Sequence, residues 1–256
     1  MEPASSAEKK PGLAVPHLLY GAALLALVIR GHVARVNWRT LIGPPPRLRD
    51  LPLLAIIVPL ALLTAGAIPI VFVPVSYFAP DLVQHLILGD NELFHVTTFA
   101  QYASLAVLLV VAAPVVEELL FRGMILHRLA RRFSVPVAVM VSSFLFAIPH
   151  AEWVGHCITG IGFALVYLRT RSLWMSMLAH ATYNALFTIP IGWALLTHDT
   201  DQSVQSLHEF RGSLGTGVAT FVAGMFLMYL YLDLYWPNGR VAEVVSLPLP
   251  HDDPRA

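Results

Sequence analysis

Seven predominantly apolar stretches, near residues 14–29, 51–73, 99–121, 135–150, 156–168, 173–196 and 214–236, leave this chain few options. A run of about 20 apolar residues has the length of a helix that crosses a bilayer, and lipid satisfies no backbone hydrogen bonds, so such runs must be helical. The expected fold is therefore all-α, a polytopic transmembrane bundle of about seven spans. The fourth and fifth stretches are short for a bilayer, and Pro136 and Pro149 bracket the fourth, which predicts tilt or partial re-entry there. Hydrophobic residues make up 57% of the chain and charged residues 12%, a balance foreign to a soluble domain. With 16 basic and 16 acidic side chains the formal charge is zero, and nothing recommends a nucleic-acid partner; the expected surroundings are the lipid bilayer. The single cysteine, Cys157, excludes an internal disulfide and a cysteine-based metal cluster, and reads as a small apolar helix residue.

Loop charges test the count separately. Residues 30–50 carry Arg30, Arg35, Arg39, Arg47 and Arg49, whereas 79–98 carry Asp81, Asp90 and Glu92 and no Lys or Arg. Residues 122–134 are basic again through Arg122, Arg128, Arg131 and Arg132, the turn at 169–172 brings Arg169 and Arg171, and 197–210 is acidic. The positive-inside rule then places the C-terminus in the cytoplasm and the N-terminus outside, although Lys9 and Lys10 weigh against the latter. An integral protein of a prokaryotic cytoplasmic membrane is the expected location. The first span lacks a small-residue cleavage site and is expected to be retained. The organisation predicted is a disordered segment 1–13, helices and loops over 14–98, a central block 99–196, a last span with its flanks over 197–247, and a disordered tail 248–256.

Charges inside the third apolar run need a reason, because an ionisable side chain at membrane depth costs several kcal/mol and marks a functional site or an ion pair. Glu118 and Arg122 are i,i+4 neighbours and read first as such a pair. Glu117 is turned about 100° away on the helix, without that partner, and is free to face a cavity. Phe146 with His150, and His180 with Asn184, form further i,i+4 faces. Counting at 1.5 Å per residue from Arg131, Ser134 and Arg171 puts Glu117, His150 and Asn184 at depths of about 21, 24 and 20 Å, so three helices bring polar groups to one level inside the bundle. Glu152 and His156 fall in an expected external turn, where an accessory metal site is the sharper reading and a solvated loop the plainer one. His85, His95, His127 and His198 read as surface residues, and Gly155, Gly160 and Gly162 as points of close helix packing.

In this setting Glu117-Glu118-Leu119-Leu120-Phe121-Arg122 resembles the EExxxR motif of the CPBP intramembrane proteases, the type II CAAX prenyl protease and bacteriocin-processing group. Phe146-Ala147-Ile148-Pro149-His150 resembles its FxxxH motif, and His180-Ala181-Thr182-Tyr183-Asn184 its HxxxN motif. Tyr167 to Trp174 is similar to the family's YxRTGSLW stretch, with Arg171 where glycine is usual. The resemblance covers about residues 100–195. It implies an intramembrane endopeptidase in which Glu117 and His150 activate a water, His180 and Asn184 stabilise the oxyanion, and Glu118, Arg122 and Phe146 support the site or the substrate. A peptide or protein at the membrane, prenylated or not, is the implied substrate. No cofactor is required by that scheme. The competing scheme for the family places a divalent metal such as zinc on Glu117, His150 and His180.

Other chemistries lack their signatures: the chain contains neither HExxH nor GxSxG. A proton-coupled transporter would use buried Glu, His and Arg, but predicts inverted repeats with paired broken helices, which the sequence does not show. A catalytically inactive relative serving as a membrane scaffold or immunity factor is the remaining alternative, and it does not require every expected catalytic position to be intact, as it is here.

Overall fold

The computed structural model describes residues 14–89, 96–197 and 206–235, and these form an all-α membrane helix bundle. In chain order the helices are α1 (Ala14–Val33), α2 (Trp38–Ile42), α3 (Ile57–Phe78, entered through a 3₁₀ segment at Leu48–Ile56), α4 (Pro80–Leu86) and α5 (Phe99–Ala130). There follow α6 (Val135–Ala147), α7 (Trp153–Thr170), α8 (Leu173–Thr197), α9 (Leu207–Gly212) and α10 (Leu214–Tyr235). Each of the seven expected spans is a helix. Among the described residues, four segments are long and apolar enough to cross a membrane by themselves, Val15–Val33, Leu48–Phe78, Phe99–Ala130 and Leu214–Tyr235. The others are shorter or, like α8, interrupted by the polar groups that build the site. The segments 1–13 and 248–256, expected to be disordered, lie outside the described residues, as do His95 and His198.

Lipid offers no hydrophobic drive to press helices together, so close packing and interior polar bonds carry the assembly. Between α3 and α10, Gly66 brings the backbones together: a Cβ there would lie 2.5 Å from the Phe221 nitrogen. Between α6 and α7, Gly160 does the same, since its Cβ would sit 3.0 Å from that of Ser143 and 3.2 Å from the Phe146 ring. Large apolar side chains such as Val107, Val111, Phe144, Phe187 and Trp193 point outward, as a lipid-facing surface requires.

The two ends of the bundle sort the loops. At one end the Ser172 hydroxyl donates to the Pro44 carbonyl at 2.5 Å, and Leu41 shares a core cluster with Leu126 and Leu173, so the basic connections 34–47, 131–134 and 169–172 gather there. At the opposite end Arg211 donates to the Ser76 hydroxyl and carbonyl at 3.0 and 2.5 Å, and Phe210 packs with Phe72, Val73 and Val83. The described parts of the basic connections thus share one end of the bundle.

The third span departs most from expectation. It does not stop at residue 121 but runs to Ala130, with π-helical turns at Val107–Ala112 and Leu119–Leu126. Arg122 is therefore not a loop cation: it is fully buried inside the bundle, held there by Glu118. The first π turn has a visible cause. Pro114 has no N–H for the Val110 carbonyl, and the Ala113 N–H reaches five residues back, to the Leu108 carbonyl. The carbonyl of Leu109, whose five-residue partner would be Pro114, is left without a donor from its own helix.

Candidate active site

Glu117 and Glu118 lie between the two π turns of α5, and their surroundings differ sharply. Glu118 is wholly buried and saturated. Its Oε1 accepts from Arg122 Nη1 at 2.8 Å and from His180 Nδ1 at 3.0 Å, and its Oε2 accepts from the Ser176 hydroxyl at 2.5 Å. Arg122 also donates to the Gly160 carbonyl at 2.6 Å, which Gly160 exposes by letting α7 approach, and its guanidinium lies 4.9 Å from the centre of the Phe146 ring. A buried ion pair offsets its desolvation only when its other hydrogen-bonding sites are filled, and here partners on α7 and α8 fill most of them, Arg122 Nε excepted.

Glu117 is also buried but keeps one side open. Its Oε1 accepts a 2.5 Å bond from the Tyr20 hydroxyl of α1, and its Oε2 stands 3.8 Å from His180 Nε2. The sequence reading that left Glu117 without a partner is corrected by Tyr20, 97 residues away in the chain and beyond the reach of any local pattern.

His180 links the two carboxylates. With its Nδ1–H committed to Glu118, its Nε2 faces Glu117; a proton on that nitrogen gives an imidazolium steadied by Glu118 from behind. The ring is held by stacking on Phe163 at 4.7 Å and by an edge contact with Phe146 at 5.7 Å. His150 follows α6. Its Nδ1 bonds the Phe146 carbonyl at 3.0 Å, which leaves Nε2 as the free acceptor, and it lies within electrostatic reach of Glu117 and His180. Phe146 is fully buried among Phe121, Arg122, His150 and His180, the packing role its position suggested.

Residues 99–186 match the family model of the type II CAAX prenyl endopeptidase Rce1-like proteins. The matched segment, about a third of the chain, is similar to that family. A second similarity, 29% identity over 121 residues, is to YdiL of Bacillus subtilis, proposed by its name to be a membrane peptidase; it covers 46% of this chain and 44% of that relative. The chain thus matches less than half the length of that curated relative. No solved structure matches it.

Within this Rce1-like segment the structure brings Glu117, Glu118, Arg122, Phe146, His150 and His180 into one cluster. Asn184 is placed differently. One turn beyond His180 on α8, its Nδ2 donates at 2.7 Å to the Leu109 carbonyl, the group that Pro114 leaves without an intrahelical donor. One of its two amide protons is therefore committed to the backbone. His156 is not in an external turn but on α7, half-buried, with its ring stacked 3.8 Å from that of His150 and its Nδ1 on the Glu152 carbonyl at 3.0 Å. His127 is likewise no surface residue: it is buried and bonds the Tyr167 hydroxyl at 2.6 Å. His85 is exposed as expected.

Sequence reasoning passed over Ser176, which sits four residues before His180 just as Asn184 sits four after, so an extended i,i+4,i+8 stripe was the available signal. Among the described residues, no three His, Cys, Asp or Glu side chains are grouped so as to hold a metal ion. In this arrangement Glu117, His150 and His180 are not grouped as zinc ligands.

Proposed function

We propose that this chain is an intramembrane endopeptidase in which Glu117 is the general base. The observation that carries the reading is the split between adjacent glutamates: Glu118 is consumed by Arg122, Ser176 and His180, whereas Glu117 turns a carboxylate oxygen toward the ring of His180. A water held between Glu117 and the free Nε2 of His150 would give a proton to Glu117 as its oxygen attacks the peptide carbonyl carbon. The negative charge that develops on the carbonyl oxygen meets His180 Nε2–H, backed by Glu118, with the second Asn184 amide proton as an auxiliary donor. Glu117 then passes the proton to the departing amine nitrogen and the C–N bond breaks. Fixed donors in a water-poor site contribute about 10²–10³ in rate, and a positioned base a similar factor.

The substrate is a peptide or protein that reaches the site from the bilayer or its cytoplasmic face, prenylated ends included. The gathering of basic connections at one end supports a cytoplasmic location for that end and for the C-terminus, since Tyr231 of α10 donates to the Leu53 carbonyl near it. The similarity to a bacterial membrane protein supports a prokaryotic cytoplasmic membrane. Comparing new peptide termini in membranes carrying wild-type protein or Glu117→Ala tests the reading: termini that require Glu117 support it, and identical sets refute it. No metal enters the scheme, so the purified protein should keep its turnover after exhaustive chelation; loss restored by zinc would replace the scheme with a metal-dependent one.

A further inference from the structure

Tyr20 lies outside the family segment, on the helix with the least interior contact of the four long spans: only 11% of the α1 window is buried. What α1 turns inward includes a narrow stripe, half-buried Tyr20, Ala23 and Leu24 with buried Leu27, at i, i+3, i+4 and i+7, packed on the cluster that contains Val116 and Leu119. That stripe sets the phenol beside Glu117. The resulting 2.5 Å bond from Tyr20 to Glu117 Oε1 is in the range of a charge-assisted O–H to carboxylate contact.

We infer that Tyr20 is a positioning residue of the active site, and that α1 completes the catalytic apparatus which residues 99–186 alone leave open. The inference rests on the general-base reading of Glu117. A carboxylate on a flexible side chain offers two equivalent oxygens and several rotamers; the phenol fixes Oε1 and leaves Oε2 turned toward His180, so that one oxygen, in one orientation, meets the water. The groups that meet Glu117 thus come from two other helices, Tyr20 from α1 and His180 from α8. A proximity of this kind governs turnover more than binding.

The test uses full-length protein in lipid nanodiscs, with wild type, Tyr20→Phe, Glu117→Gln and a variant carrying p-aminophenylalanine at position 20, which keeps a donor in place of the hydroxyl. The activity probe is an internally quenched peptide farnesylated on a C-terminal CAAX cysteine. Tyr20→Phe is expected to lower kcat about tenfold at unchanged KM and unchanged melting temperature, with p-aminophenylalanine restoring most of the rate. A wild-type rate in Tyr20→Phe overturns the inference, and a raised rate would make α1 an inhibitory latch instead. Infrared spectra decide it without turnover. The carboxyl bands lost in Glu117→Gln should shift in Tyr20→Phe and return toward the wild-type position with p-aminophenylalanine; bands that coincide in all three overturn it. Wild-type protein that cleaves nothing counts against the peptidase reading alone, because the infrared arm still reports on the Tyr20 contact.

Discussion

Glu117 and Glu118 are the same residue type, adjacent in one helix and both buried, Glu118 completely, yet they live in different chemical worlds. Glu118 spends both oxygens on three side chains from two helices, and its arginine reaches on to a third helix through Gly160. Among the described residues Glu117 accepts from a loosely attached helix and turns its other oxygen toward His180. The rotation of about 100° between neighbours on a helix is enough to send one carboxylate into the framework and the other into the site. The comparison teaches that a buried charge is functional in proportion to the hydrogen-bonding capacity its surroundings leave unfilled.

The framework side should break hardest. Replacing either Glu118 or Arg122 alone by a neutral residue strands a buried charge and should cost about 3–5 kcal/mol in stability, read by thermal or chemical unfolding in detergent. The double replacement Glu118→Leu with Arg122→Met should recover part of that loss, but not all, because Ser176, His180 and the Gly160 carbonyl lose their partner too. Strictly additive losses would contradict the pairing.

Asn184 sharpens the comparison, since it belongs partly to each side. Asn184→Ala leaves the Leu109 carbonyl unsatisfied and should cost about 1–3 kcal/mol. In a Pro114→Ala background, where residue 114 regains its N–H and the helix can close its own ladder, the same substitution should cost less. Equal costs in the two backgrounds would show that the Asn184 bond does not answer the proline.

The smallest effect lies far from both carboxylates. Arg171 ends α7 in the left-handed conformation, with φ 53° and ψ 32°, a region that glycine enters without penalty. Arg171→Gly removes the steric penalty of the side chain there and should raise stability by up to about 1 kcal/mol without altering turnover. A drop in stability would mean that the arginine side chain contributes more than its backbone costs.

The legible part of this molecule was the part written in short range. Apolar run lengths announced seven helices, and i,i+4 spacing announced the Glu118–Arg122 pair and the faces of His150 and His180. Hidden from the sequence was whatever depends on which helices meet: Tyr20 on Glu117, the stacking of His156 on His150, and the burial of His127 against Tyr167. The continuation of α5 to Ala130 was missed because Arg122 reads as a loop charge until its partners in the bundle are known. Pro114 was the overlooked clue, since a proline within an apolar helix must leave a carbonyl that another group answers.

The division of labour between the two glutamates can be measured in one experiment, with peptide turnover and unfolding followed side by side for Glu117→Gln and Glu118→Gln in the same lipid. The account predicts that Glu117→Gln abolishes turnover while keeping wild-type stability, and that Glu118→Gln loses stability and, through His180, part of its turnover as well. Substantial turnover in folded Glu117→Gln, or wild-type stability in Glu118→Gln, would contradict it.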